Sequence, residues 1–141
     1  MALAIGSPSG KRAVADRLAG SPVRDPVLVH PASWVGTVVT LEPVVVITAG
    51  ARLTTNIHVG AHVHINLNAT VGHDTTIGDF SVLNPLACVS GSVTLGEGVN
   101  VGAAATVLPG IEVGADTVIG ACSCVVHDVP AGTTVMGVPA R

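Results

Sequence analysis

Aromatic residues are nearly missing from this chain, which has one Phe, one Trp and no Tyr in 141 residues. That excludes a core built on ring clusters and leaves packing to Val, Leu, Ile and Ala. The 48% hydrophobic composition is still adequate for one domain. Charge is equally scarce, with six basic and nine acidic residues and a net charge of −3. Neither a nucleic-acid footprint nor a polybasic membrane patch can be assembled from so few. No apolar run reaches the roughly 18 residues of a membrane span, because Glu42 and Pro43 interrupt the richest one. The N-terminus lacks a signal-peptide pattern, so a cytoplasmic protein is expected. Cys88, Cys122 and Cys124 are odd in number and lack zinc-ribbon spacing. They read as free thiols in a reducing compartment.

What the chain has in abundance is a period. Every sixth residue from Val29 to Val125 is Val, Leu or Ile, 17 times in 17 places. These three types make up 43 of 141 residues, so independent draws would produce the column about once in a billion. The next residue is Gly in eight of the 17 hexads, as expected for a corner that needs permissive backbone angles. The fourth residue on is always Ala, Ser, Thr, Val or Ile. Each hexad thus offers one large and one small inward side chain around a turn.

Neither an α-helix at 3.6 residues per turn nor long alternating hairpin strands explains a strict six. A triangular parallel β-solenoid does, with three hexads per coil, five to six coils, and residues 18 apart stacked at about 4.8 Å. Residues 29–130 form this solenoid. Residues 1–28 stand apart as an N-terminal piece, with a short strand over Ala2–Gly6, a helix over Ser9–Ala19 capped by Ser9 and stopped at Gly20, and a connector at Ser21-Pro22 and Asp25-Pro26. Residues 131–141 leave the period and are expected to cap the open end.

The stacking rule places chemistry. His73-Asp74 is the only adjacent imidazole and carboxylate in the first hundred residues, and His suits a general base near neutral pH. One coil away stand Thr55 and Gly91 beside His73, and Asn56 and Ser92 beside Asp74. Gly91 offers a backbone N–H to an oxyanion without a side chain in the way. Asn66 stacks on Asn84, a ladder that could satisfy turn backbone or hold an acceptor. The same dipeptide recurs as His127-Asp128 three coils on, where a corner element beside the end of the solenoid is expected. His58, His62 and His64 form a third cluster, the basis of a zinc alternative, although His58 falls around a corner from the others and no metal is expected.

The ladder closing on Met136-Gly137-Val138-Pro139-Ala140-Arg141 resembles the hexapeptide-repeat acyltransferases. That resemblance implies a left-handed parallel β-helix and a homotrimer; left-handedness runs against the usual crossover rule and comes from the family alone. Ile65-Asn66, Gly72-His73-Asp74, Ile77-Gly78-Asp79-Phe80, Ser90-Gly91 and the C-terminal Gly137–Arg141 segment look like the sugar O- and N-acetyltransferases related to sialic acid O-acetyltransferase. Residues 2–20 resemble the last strand and helix of that family's nucleotide-sugar-binding domain, whose remainder is missing. The family implies acetyl transfer from acetyl-CoA to an amine or hydroxyl of a small acceptor, a sugar or nucleotide sugar, with His73 as base assisted by Asp74. It implies a coenzyme groove between two subunits, touched at Val82, Ala103 and Ala121; Pro139 and Arg141 are further coenzyme-binding candidates, Arg141 being the cation near the C-terminal end for the phosphates. Val82 departs from some members, which carry a second His there. The alternatives are a non-catalytic β-helix scaffold and a trimeric zinc enzyme of the gamma carbonic anhydrase type.

Overall fold

The computed structural model describes Leu3, residues 5–20 and residues 25–141. From Leu28 onward the chain winds through short parallel strands into three sheets, forming a triangular solenoid of about six turns. The first sheet has seven strands, from Leu28–Val29 to Thr134–Val135. The second has six, from Trp34–Val35 to Cys124–Val125, and the third five, from Val39–Leu41 to Glu112–Val113. The fold is a left-handed parallel β-helix.

The period-six column is the core. Its members from Ile47 to Val125 are buried, packed with the small column of Val45, Ala51, Val63, Ala69 and their equivalents. Val29, Val35 and Leu41 belong to the column but lie in the first coil, which has no coil beneath it. Val29 is accordingly 46% exposed, and Val35 and Leu41 only pack partly against the core.

The glycines following the aliphatics serve a different purpose from the one their corner position suggests. None of those eight has a positive φ. Instead, a Cβ on Gly72 would stand 2.4 Å from the backbone N of Gly91 and 2.5 Å from the carbonyl carbon of Ser90. Gly36, Gly78, Gly96, Gly102 and Gly114 would likewise strike backbone of the following coil. The left-handed conformation falls two residues later, at Val38, Asn56, Asp74, Ser92 and eight other non-glycine residues.

Strand partners are 18 residues apart until the end, as in Thr106 with Cys124. The pairing of Ile119 with Val135 and the bridge of Val113 to Val129 span 16. The period therefore slips by two residues between Val125 and Val129, ahead of Ala131, and residues 134–135 add one more strand to the first sheet. The C-terminal turn then folds onto the second sheet: Ala140 N–H donates to the Cys124 carbonyl at 2.8 Å, and Met136 and Arg141 exchange backbone hydrogen bonds at 3.1 Å.

The N-terminal helix runs Pro8–Leu18. Its cap is Ser7, whose hydroxyl accepts the Gly10 N–H at 3.3 Å, not Ser9. Proline at the first helical position favours the earlier start. The strand expected over Ala2–Gly6 lies partly outside the described residues, and Leu3, Ile5 and Gly6 form none. Ser21-Pro22 also lies outside them. The helix docks on the corner between the third and first sheets. Lys11, 2% exposed, donates to the His62 carbonyl at 2.6 Å and the Ser81 carbonyl at 3.4 Å. Arg12 pairs with Glu97 at 2.9 Å and Asp116 at 3.1 Å, above the ring of Phe80.

Candidate active site

His73 and Asp74 sit on the corner between the second and third sheets, just after the strand Thr70–Val71. The corner backbone is held from both sides. The His73 carbonyl accepts the Ser92 N–H at 2.7 Å and the hydroxyl of buried Thr75 at 3.3 Å. Asp74 takes the left-handed corner position, φ 56°, and its N–H donates to the Thr55 carbonyl at 3.2 Å. This conformation turns the two adjacent side chains toward one another. His73 Nδ1 lies 2.7 Å from Asp74 Oδ2.

The second carboxylate oxygen is also engaged, because Asn56 Nδ2 donates to Asp74 Oδ1 at 2.5 Å. The Asn56 amide first, and then His73, hold the Asp74 carboxyl below the usual carboxylate range. An ionised carboxylate can only accept, so Nδ1 carries the proton of the neutral ring and Nε2 presents a lone pair. Both side chains remain open to solvent, 62% and 52% exposed.

Gly91 packs against the face of that ring. A Cβ on Gly91 would lie 2.7 Å from His73 Nε2 and 2.9 Å from Cε1, so the ring occupies the space a side chain would fill. Among the described residues the Gly91 N–H has no acceptor. That freedom belongs to its place in the turn: at Ala61, the equivalent position of another hexad, the N–H is taken by Asp79 Oδ1 at 2.8 Å.

Other sequence candidates lie elsewhere. Asn66 is half-buried on the corner between the first and second sheets. Its expected partner Asn84 donates instead to Asn100 Oδ1 and to the Val101 carbonyl, both at 2.8 Å, which satisfies turn backbone. Ala103 and Ala121 are exposed and adjacent on that same corner, where the Cys122 N–H donates to the Ala103 carbonyl at 2.8 Å. Pro139 and Arg141, both exposed, close its end through the turn docked on Cys124. One chain thus carries the dyad on one corner and this second group on the next. Val82 departs from both. It is fully buried beside Ser81, where the N-terminal helix docks, and its side chain offers no surface to a coenzyme.

The histidines considered for zinc do not converge. His58 is exposed on the third sheet, His62 stacks on Phe80 at the third-to-first corner with centroids 4.7 Å apart, and His64 lies in the first sheet. Among the described residues no group of three or more His, Cys, Asp or Glu could hold a metal. The three cysteines are free. Asn56 was visible to the sequence only as a stacking neighbour; the 18-residue register was the signal that could have placed it in the site.

The fold is matched by solved structures along nearly the whole chain. The Caulobacter crescentus PerB structure with CoA and GDP-perosamine is 31% identical, with a TM-score of 0.95, and the match covers 99% of this chain and 68% of that one. The acetyltransferase domain of PglB from Neisseria gonorrhoeae is 30% identical at a TM-score of 0.96, covering 99% and 68%. WeeI from Acinetobacter baumannii is 25% identical, with a TM-score of 0.96 and the same coverage. Two further Caulobacter perosamine N-acetyltransferase structures, each with CoA and GDP-perosamine, have one histidine replaced, by Asn or by Ala. No protein-family profile matches the chain, and no curated protein does. The chain belongs to the left-handed β-helix sugar acetyltransferases, the family of the Caulobacter perosamine enzyme and the Neisseria PglB domain. No helix among the described residues is long and apolar enough to cross a membrane.

Proposed function

We propose that this protein transfers the acetyl group of acetyl-CoA to the amino group of a nucleotide-linked sugar, with His73 as general base. The observation that carries the reading is the anchored dyad: Asp74 fixes the ring through Nδ1, Gly91 backs the face of the ring, and the exposed side chain leaves the Nε2 lone pair open to an acceptor. The acceptor nitrogen attacks the thioester carbonyl carbon while Nε2 takes the nitrogen's proton. The C–S bond then breaks, and the departing thiolate recovers the proton from the imidazolium. The Gly91 N–H is the donor for the oxygen that becomes negative in between.

An amine is favoured over a hydroxyl as acceptor because the relatives at about 30% identity include a perosamine N-acetyltransferase solved with its amino sugar nucleotide. The same complexes contain CoA, which supports the thioester as donor. The position of Ala103, Ala121, Pro139 and Arg141 on the neighbouring corner supports a homotrimer, in which one subunit's dyad would face the coenzyme-binding corner of the next. The free thiols suit a cytoplasmic setting.

The experiment is CoA release from acetyl-CoA, measured against a panel of nucleotide-linked 4-amino and hydroxyl sugars. Acceptor-dependent release that His73→Ala abolishes in a folded protein is expected. Full activity in that variant overturns the mechanism. Acetyl-CoA binding with no turnover across the panel assigns the chain to the non-catalytic scaffolds.

A further inference from the structure

We infer that Asn56 is a positioning residue that commits Asp74 to His73, a contact that the sequence twin His127-Asp128 lacks. The inference rests on the acetyl transfer proposed above. The chain contains a built-in comparison, since the same dipeptide occurs twice with very different outcomes. Asp128 turns its carboxylate to the Glu112 backbone, accepting that N–H at 2.8 Å. Among the described residues no ion pair joins it to His127. Asp79 does the same one corner away, accepting the Ala61 N–H at 2.8 Å. The partner of a corner carboxylate thus varies along this solenoid: Asp116, which shares the left-handed position of Asp74, pairs instead with the Arg12 side chain at 3.1 Å.

At Asp74 the preceding coil presents a side chain. Asn56 stands 18 residues earlier in the same left-handed position, φ 52°, and its N–H donates to the Thr37 carbonyl at 3.3 Å. From there Nδ2 reaches Oδ1 at 2.5 Å, leaving Oδ2 for the imidazole. An amide suits this task, since its Nδ2 donates a proton it does not lose. Near Asp128 the equivalent residue is Gly110, which has no side chain; Asp128 also lies outside the left-handed region, and the two-residue slip brings Glu112 N–H into reach instead. Asn56 also favours the ionised form of Asp74, consistent with a fixed acceptor for Nδ1–H.

The test uses Asn56→Gly and Asn56→Ala. Both residue types already occupy this corner position, at Gly110 (φ 75°) and Ala104 (φ 55°), so the backbone accommodates them. Two readouts are taken: the His73 tautomer from ¹⁵N imidazole shifts, and steady-state acetyl transfer alone and combined with Asp74→Ala. The expected result is a shift from the Nδ1–H form toward a mixture and a fall in turnover of about tenfold at unchanged KM for acetyl-CoA. In the Asp74→Ala background the Asn56 substitution should cost nothing further. An unchanged tautomer with full turnover overturns the inference, and so does a loss that simply adds to that of Asp74→Ala. If the wild-type chain acetylates nothing while its tautomer still depends on Asn56, the positioning role stands and the acetyl-transfer reading falls.

Discussion

Gly91 lies against the His73 ring so closely that a Cβ added to it would stand 2.7 Å from Nε2. Its φ is not in the left-handed region, so Gly91→Ala is permitted by the backbone and forbidden only by the imidazole. The ring must tilt, and its bond to Asp74 Oδ2 must stretch. We expect turnover to fall by about 10- to 100-fold, as misplacement of a reacting group by a fraction of an ångström does, with little change in melting temperature. Normal turnover in Gly91→Ala would mean that the ring works from another rotamer.

Gly72 and Gly110 make a contrasting pair for stability. At Gly72 the added Cβ meets Gly91 N at 2.4 Å, an atom that cannot move without separating two coils. At Gly110 nothing lies within 4 Å, and only its φ of 75° opposes a side chain. Gly72→Ala should therefore cost about 2–3 kcal/mol, as overpacking does, and Gly110→Ala about 1 kcal/mol. Urea titration of both variants checks the order; equal losses would return the glycine column to a backbone-angle explanation.

That contrast also shows what the sequence could and could not reveal. The aliphatic column was legible because each hexad repeats one packing rule, and Ile47, Leu53, Val59, Ile65 and Val71 all follow it into the core. A glycine in a sequence marks a missing Cβ without saying whether a dihedral or a neighbouring coil requires its absence. The true left-handed position was hidden because residues as different as Val38, Phe80 and Asp116 occupy it, held by hydrogen bonds between coils such as Phe80 N–H to the Ala61 carbonyl. His73-Asp74 was visible as a pair, but its distinction from His127-Asp128 depends on contacts 18 and 16 residues away. The burial of Val82 depends on how the helix Pro8–Leu18 docks, which no local pattern encodes.

The two dipeptides should accordingly respond in opposite ways. His73→Ala is expected to lower acetyl transfer by at least about a hundredfold, whereas His127→Ala should leave it within about twofold of wild type in the same CoA-release assay. Asp128→Ala leaves the Glu112 N–H without its side-chain partner and should cost about 1 kcal/mol of stability. A large catalytic loss in His127→Ala would overturn the assignment of the base to the first dipeptide.

Lys11 carries the last prediction. Its ammonium is buried under the helix against two carbonyls, and burial pushes its pKa down to about 8. Unfolded, the same group titrates near 10.4. Between these values the unfolded chain binds more protons than the folded one, so this group's contribution to stability rises with pH from about 8 to about 10.4 and is flat below that window. Lys11→Met removes the titration along with the charge. The stability difference between wild type and Lys11→Met should therefore shift in favour of wild type, by on the order of 2–3 kcal/mol, as denaturant midpoints are followed from pH 7 to pH 10.5. A difference that stays constant across that range would show that Lys11 keeps its charge in the folded protein throughout, its two carbonyl contacts compensating for lost water.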